Sequence, residues 1–368
     1  MQITLFQPLN RVVKLPIPTT IGSVKLEYPP SSFIPWVQTN TITTFMIPTS
    51  NFHFQNLNRF LNCFVVSWKA FSKISIFLLF LGVFNCQFIA QPIKHQDSIS
   101  PKKLLGISIA SAAFWGSSLY LLNNVWYANS PRSNFHAFDD HREWMQMDKV
   151  GHLFSAYHAS NLLTRTYEWT GISRKKAAAI GSLATLAYLT SVEYLDGTNQ
   201  AWGFSWSDQL ANTIGAGISW WNNRSLEPSS LYFKQSYFPS PYAALRPSVL
   251  GKSDLERYLK DYNGQTYWLS FSPNRIIGTA FFPKFLLLSI GYSCDAKLEG
   301  HENEYIATNG ARYSAQREFL LSLDIDFRQI QFKRKWVKQI CSVFDLIKVP
   351  LPTLQLRGNE LRWYPIYF

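Results

Sequence analysis

"MQMDKVGHLFSAYHASNLL", residues 145–163, reads as an apolar helix with a polar head, because Asp148, Lys149 and His152 precede a run of Leu, Phe, Ala and Tyr. On a helix, Asp148 and His152 share one face with Ser155, four and three residues apart in turn. Lys149 is turned about 100° away from Asp148 on the same helix. A buried charge costs several kcal/mol unless it is paired. The expected partners of Asp148 are therefore His152 and groups on neighbouring helices.

Three further stretches read as helices. Leu104–Leu122 has no charge and many small residues, Ala177–Leu195 is apolar until Glu193, and Gln209–Trp221 is dense in Gly and Ala. Small residues at helical spacing let backbones approach closely, in membrane bundles and in tight soluble ones alike. The polar exceptions cluster near segment ends. Glu193 has Thr190 and Ser182 on its side and Asp196 one turn on, before Gly197 ends the helix. Asp208, Asn212, Gly215 and Ser219 follow at i, i+4, i+7 and i+11. If these faces converge they form one site.

Each residue also has an architectural reading. Asp148 suits a helix N-cap, and Ser205-x-x-Asp208 matches a capping box. His152 suits a satisfied core histidine.

Composition narrows the setting. The chain has 368 residues, with 16% charged and 16% aromatic residues, 13 of them Trp. Aromatic richness with few charges suits a protein at a membrane, while a mean hydropathy of −0.07 argues against a chain made mostly of spanning helices. The net charge of +12 is spread thinly, densest at Arg174-Lys175-Lys176 and "FKRKWVK" (332–338). No basic face with interleaved stacking aromatics is present, so nucleic acid is excluded as a partner and anionic headgroups are favoured.

"KAFSKISIFLLFLGVFNCQFIAQP" (69–92) has the build of a secretory signal peptide, with Lys69 and Lys73 before a short apolar core and Ala90 before a cut at Gln91. Cys86 follows Phe84-Asn85, which lack the small residues of a lipoprotein cleavage box. Residues 1–68 read as a disordered extension, or as sequence ahead of a later start such as Met46. Of the four cysteines, Cys294 and Cys341 lie beyond the cut and could pair in an oxidising compartment.

If all four helical segments crossed the inner membrane after export, Lys102, Lys103 and Arg174–Lys176 would lie on the outer side, against the positive-inside rule. A bundle on the periplasmic side, membrane-associated, with the outer membrane as one setting, avoids this.

Beyond residue 225 the texture changes. Residues 226–262 read as a linker or extended wrap. Strand signals follow at 266–272, 285–293 and 318–327. The last alternates cleanly, with Phe319, Leu321, Leu323, Ile325 and Phe327 on one face. Five or six strands fall short of the eight of a single-chain outer-membrane barrel, so a small antiparallel sheet against the helices or the bilayer is expected. The fold class is α+β: a short helical bundle of small-residue-rich, partly membrane-type helices (91–225), then a small antiparallel β-rich domain (263–368).

"DKVGHLFSAY" (148–157), "SVEYLD" (191–196) and "GFSWSDQLANTIGAGI" (203–218) resemble the signature blocks of the YfiM-like family, uncharacterised cell-envelope proteins often described as predicted periplasmic lipoproteins. The same order of motifs is similar to that of the VanZ-like membrane proteins, which are linked to glycopeptide resistance. The similarity covers about residues 148–220. It implies an envelope location and candidate residues, and no reaction.

Two functions follow. In one, the cluster handles an envelope lipid or glycan-linked substrate. Asp148, His152, Glu193 and Asp208 are then the catalytic set, with His152 as general acid/base oriented by Asp148, and Lys149, Asn212 and Ser205 bind substrate. A metal is not expected, for want of a second close His; the residues name no other cofactor and no oligomeric state. In the other, the same residues cap helices and lock their register in a non-catalytic envelope module. The lack of a nucleophile elbow, phosphate loop, CxxC or HExxH weighs against a standard hydrolase or kinase-like role.

Overall fold

The computed structural model describes residues 99–368 except 128–129, 225–230, 279, 335 and 338–340. The extension 1–68 and the signal peptide 69–90 lie outside the described residues. Four helices come first: α1 (Pro101–Leu121), α2 (Met147–Trp169), α3 (Arg174–Gly197) and α4 (Trp206–Asn223). They fall on the four apolar stretches, with ends that differ by a few residues.

Small residues decide how α2, α3 and α4 pack. A Cβ on Gly181 of α3 would sit 2.6 Å from the backbone nitrogen of Thr164 on α2, and one on Gly215 of α4 would run into the Leu153 carbonyl. The helices therefore touch backbone to backbone, with Ala156, Ser160, Ala178 and Ala216 buried between them. Large apolar residues, such as Leu183 on α3 and Leu210 on α4, point outward instead. α1 has no buried residue at all. Among the described residues, two helical stretches are long and apolar enough to cross a membrane, Pro101–Asn124 and Arg174–Gly197.

The chain enters α2 through Trp144, Met145 and Gln146, all three in the left-handed region at φ of 49°, 52° and 64°. Non-glycine residues rarely adopt that conformation, and three in a row persist only where surroundings hold them. Trp144 N–H donates to Gly300 O (2.9 Å), the Tyr292 hydroxyl donates to Met145 O, and both side chains are buried with Met147, Leu250, Tyr262 and Cys294. This apolar cluster fixes the head of α2 against the β domain.

That domain is a six-stranded antiparallel sheet: β1 (Leu231–Tyr237), β2 (Gln265–Phe271), β3 (Leu286–Asp295), β6 (Gln316–Ile325), β7 (Leu351–Arg357) and β8 (Glu360–Tyr367), neighbours in that order. A small hairpin, β4 (Glu304–Ile306) with β5 (Arg312–Ser314), interrupts the meander. β1 lies inside the stretch read from sequence as linker or wrap. The sheet curls. Residues leading into β7 pair with the outer edge of β1 (Gln235 N to Leu346 O, 2.9 Å; Lys348 N to Gln235 O, 3.0 Å), and Tyr367 of β8 reaches Thr266 of β2 at 3.2 Å. On its convex side α2 covers β1 and β2, with Tyr157 against Phe233 and Phe154 against Tyr267.

The alternation expected along β6 is present, but its buried face is the polar one. Leu320, Ser322 and Asp324 are buried, while Phe319, Leu321 and Leu323 are exposed. Cys294 and Cys341 are both free thiols.

Candidate functional site

The site forms where the first turns of α2 and α4 meet the last turn of α3. Asp148, Lys149 and His152 come from α2, Glu193 from α3, and Asp208 and Asn212 from α4. The loop before α2 adds Asp140, and the turn before β2 adds Tyr262. The faces that sequence periodicity aligned thus converge.

Two centres stand side by side. At the first, Lys149 Nζ lies 2.6 Å from Asp140 Oδ2, 2.9 Å from Asp148 Oδ2 and 2.7 Å from Asp208 Oδ1. The expectation that Lys149 diverges from Asp148 is corrected here. The Cα directions do diverge, but a four-carbon stem folds back to where the Asp140 and Asp148 carboxylates, beside the Asp208 carboxyl, concentrate negative potential. Burial works against ionisation of Asp140, yet Lys149 and the hydroxyls of Ser205 and Ser207 hold it below the usual carboxylate range. Ser205 caps α4 by accepting from Asp208 N–H (3.0 Å), and its own hydroxyl donates to Asp140 (2.7 Å). Tyr262 donates to Asp148 Oδ1 at 2.7 Å.

At the second centre, His152 is enclosed by acids. Its Nε2 lies 4.0 Å from Asp148 Oδ1 and 3.8 Å from Asp208 Oδ2, and its Nδ1 lies 3.7 Å from Glu193 Oε1. The Nδ1–H donates to Asn212 Oδ1 at 3.2 Å, which turns the Nε2 lone pair toward the two aspartates. Burial pushes His152 down to about 4, so the ring is neutral at pH 7. Burial, reinforced by the Asp148 charge, pushes Asp208 up to about 9 against the lowering pull of Lys149, so its carboxyl is protonated at neutral pH. A neutral imidazole and a protonated carboxyl 3.8 Å apart can exchange a proton through one intervening water.

Asp148, His152 and Asp208 also bring one ligand atom each within 4.8 Å of one another. One imidazole and two carboxylates can hold a divalent cation, with Asn212 orienting the ring from its other nitrogen.

Sequence reading missed Asp140 and Tyr262. Asp140 had a local signal, the pair Asp139-Asp140 ahead of the helix. Tyr262 had none, lying 114 residues from its partner.

An exported protein of the cell envelope is the class that these features support. A family model described as predicted periplasmic lipoprotein (DUF2279) matches residues 137–224, which hold every acid of the site together with Lys149, His152 and Asn212. The match supports the envelope-family part of the resemblance and brings no reaction or substrate with it. No curated protein matches the chain, and no solved structure does.

Proposed function

We propose that this envelope protein transfers a proton on an envelope lipid or glycan-linked substrate, with His152 as general acid/base. The observation that carries the reading is the seat of His152, between Asp148, Glu193 and Asp208 from three helices with its tautomer set by Asn212. A module built only for stability gains little from gathering acids and an imidazole out of water, since an apolar packing of the same volume serves as well or better. Asp208 exchanges the proton with Nε2 through one water across 3.8 Å; Asp148 and Asn212 orient the ring.

The non-catalytic reading rests on the other centre. Lys149 ties α2, α4 and the preceding loop through three carboxylates, and its ammonium is committed to them. In the proposal Lys149 and Ser205 are accordingly positioning residues, and Asn212 orients His152 rather than substrate.

The test is mass spectrometry of envelope lipids and glycans from cells lacking the protein, complemented at equal levels with wild type or His152→Ala. Failure of His152→Ala to restore the wild-type profile supports catalysis. Full restoration overturns it and leaves the architectural reading.

A further inference from the structure

A soluble sheet buries its apolar face, whereas this one buries a polar network with Trp268, Leu287 and Leu320 among it and turns an apolar face outward. Its concave side holds Lys234, Ser270, Ser289, Ser322, Asp324 and Thr353, all at most 3% exposed. They satisfy one another: Lys234 Nζ lies 2.7 Å from Asp324 Oδ2, Ser270 hydrogen-bonds Ser289 (2.7 Å) and Asp324 (3.2 Å), and Thr353 donates to Ser322 (2.9 Å). The convex side beyond the helices presents Ile290, Phe319, Leu321, Leu354, Leu356 and Trp363, from 40% to 62% exposed. No charged side chain interrupts this face along β6 from Phe319 to Ile325. A folded chain keeps a charged interior and an apolar exterior when its surroundings are apolar too. β3 and β6 are each ten residues long, the length that crosses a hydrocarbon layer in a tilted strand.

The helices supply independent support. Ser100 N–H donates to Thr170 O, and Arg174 Nε donates to Asn223 O, so the starts of α1 and α3 meet the ends of α2 and α4. Lys102, Lys103, Arg174, Lys175, Lys176 and Arg224 therefore collect at one end of the bundle. Trp169 lies under Lys103 there (4.4 Å) and Trp221 under Arg224 (3.4 Å). Leu231, at the start of β1, is tied to the same end by Asn222. Basic residues paired with Trp are what an anionic headgroup layer attracts. The acidic site lies at the opposite end of the same helices.

We propose that the convex face of β3, β6, β7 and β8 is seated in the hydrocarbon of a lipid bilayer, with the basic, Trp-rich end of the helices at anionic headgroups. This seating is independent of whether His152 performs chemistry. A bilayer is favoured over a protein partner because the ten-residue strands match a hydrocarbon layer and the basic residues at the end of the bundle are paired with Trp.

The test places nitroxide labels on Leu321→Cys, Leu354→Cys and Asn309→Cys in the full chain, reconstituted into phosphatidylethanolamine–phosphatidylglycerol vesicles. Spectra of the labelled unsubstituted chain are subtracted to remove the native cysteines. Asn309, in the exposed turn between β4 and β5, reports water. Labels at 321 and 354 are expected to be open to oxygen and closed to a nickel chelate, with an oxygen-to-nickel ratio several-fold above that at 309. Nickel access equal to that at 309 overturns the proposal by placing the face in water. Low access to both reagents overturns it by placing protein, a partner or a second copy, on that face. All three sites are exposed, so the labels leave packing intact.

Discussion

His152 and Asn212, sixty residues apart in the chain, meet at 3.2 Å between Nδ1 and Oδ1. That contact sets which ring nitrogen faces Asp148 and Asp208. Replacing the amide by a carboxylate, Asn212→Asp, puts a charge where a dipole was and is expected to raise the His152 pKa above its value of about 4. Histidine-selective NMR titration reads it. An unchanged midpoint would show that Asn212 does not govern the ring.

The pH dependence of stability follows from His152 and Asp208 with opposite signs. His152 is depressed to about 4, so the unfolded chain binds the extra proton between pH 4 and about 6.5, and stability rises with pH across that window. Asp208 is raised to about 9, so the native state holds the extra proton from about pH 4 to 9, and stability falls as pH rises through that window. The two oppose below pH 6.5; above it Glu193, which burial raises to about 8, adds to the fall that Asp208 causes. Unfolding midpoints are expected to fall from pH 6.5 to 9 in wild type and to fall less steeply in Asp208→Asn, where Glu193 still titrates. A wild-type midpoint independent of pH over that range would contradict the protonated state assigned to Asp208.

Removing Lys149 is expected to be costly. Lys149→Met leaves Asp140, Asp148 and Asp208 facing one another without their cation, a loss on the order of 3–5 kcal/mol for a buried partner. Adding Asp140→Asn to the same chain should recover part of it. Chemical denaturation of the single and double variants measures both, and additive losses would deny the coupling.

Helix contact through glycine gives a paired prediction on α4. Gly215→Ala pushes a methyl into the Leu153 carbonyl and should cost about 1–3 kcal/mol. Gly217→Ala, two residues on, meets nothing within 4 Å and should be neutral or stabilise by up to about 1 kcal/mol. Thermal unfolding of the two proteins compares them directly.

Inside the curled sheet, Asp324 faces Lys234 at 2.7 Å and accepts from Val349 N–H. Asp324→Ala leaves the Lys234 ammonium buried without its counter-charge. A loss of at least about 3 kcal/mol is expected, against less than about 1 kcal/mol for Leu321→Ala in detergent, where that side chain contacts no protein core. Equal losses would mean that the two faces are not polarised as described.

Much of this was legible along the chain. Periodicity alone located α2, α3 and α4 and put Asp148 with His152, and Asp208 with Asn212, on shared faces, because a helix repeats every 3.6 residues whatever surrounds it. The alternation from Phe319 to Ile325 likewise defined β6 and its two faces. Only the tertiary structure decided which face is inside. Period-two alternation is symmetric between in and out, and the answer came from Lys234 meeting Asp324 across a sheet that curls. The same limit hid Tyr262 and the fold-back of Lys149. Local spacing determines which residues share a face, whereas long-range packing and the reach of a flexible side chain determine what that face meets.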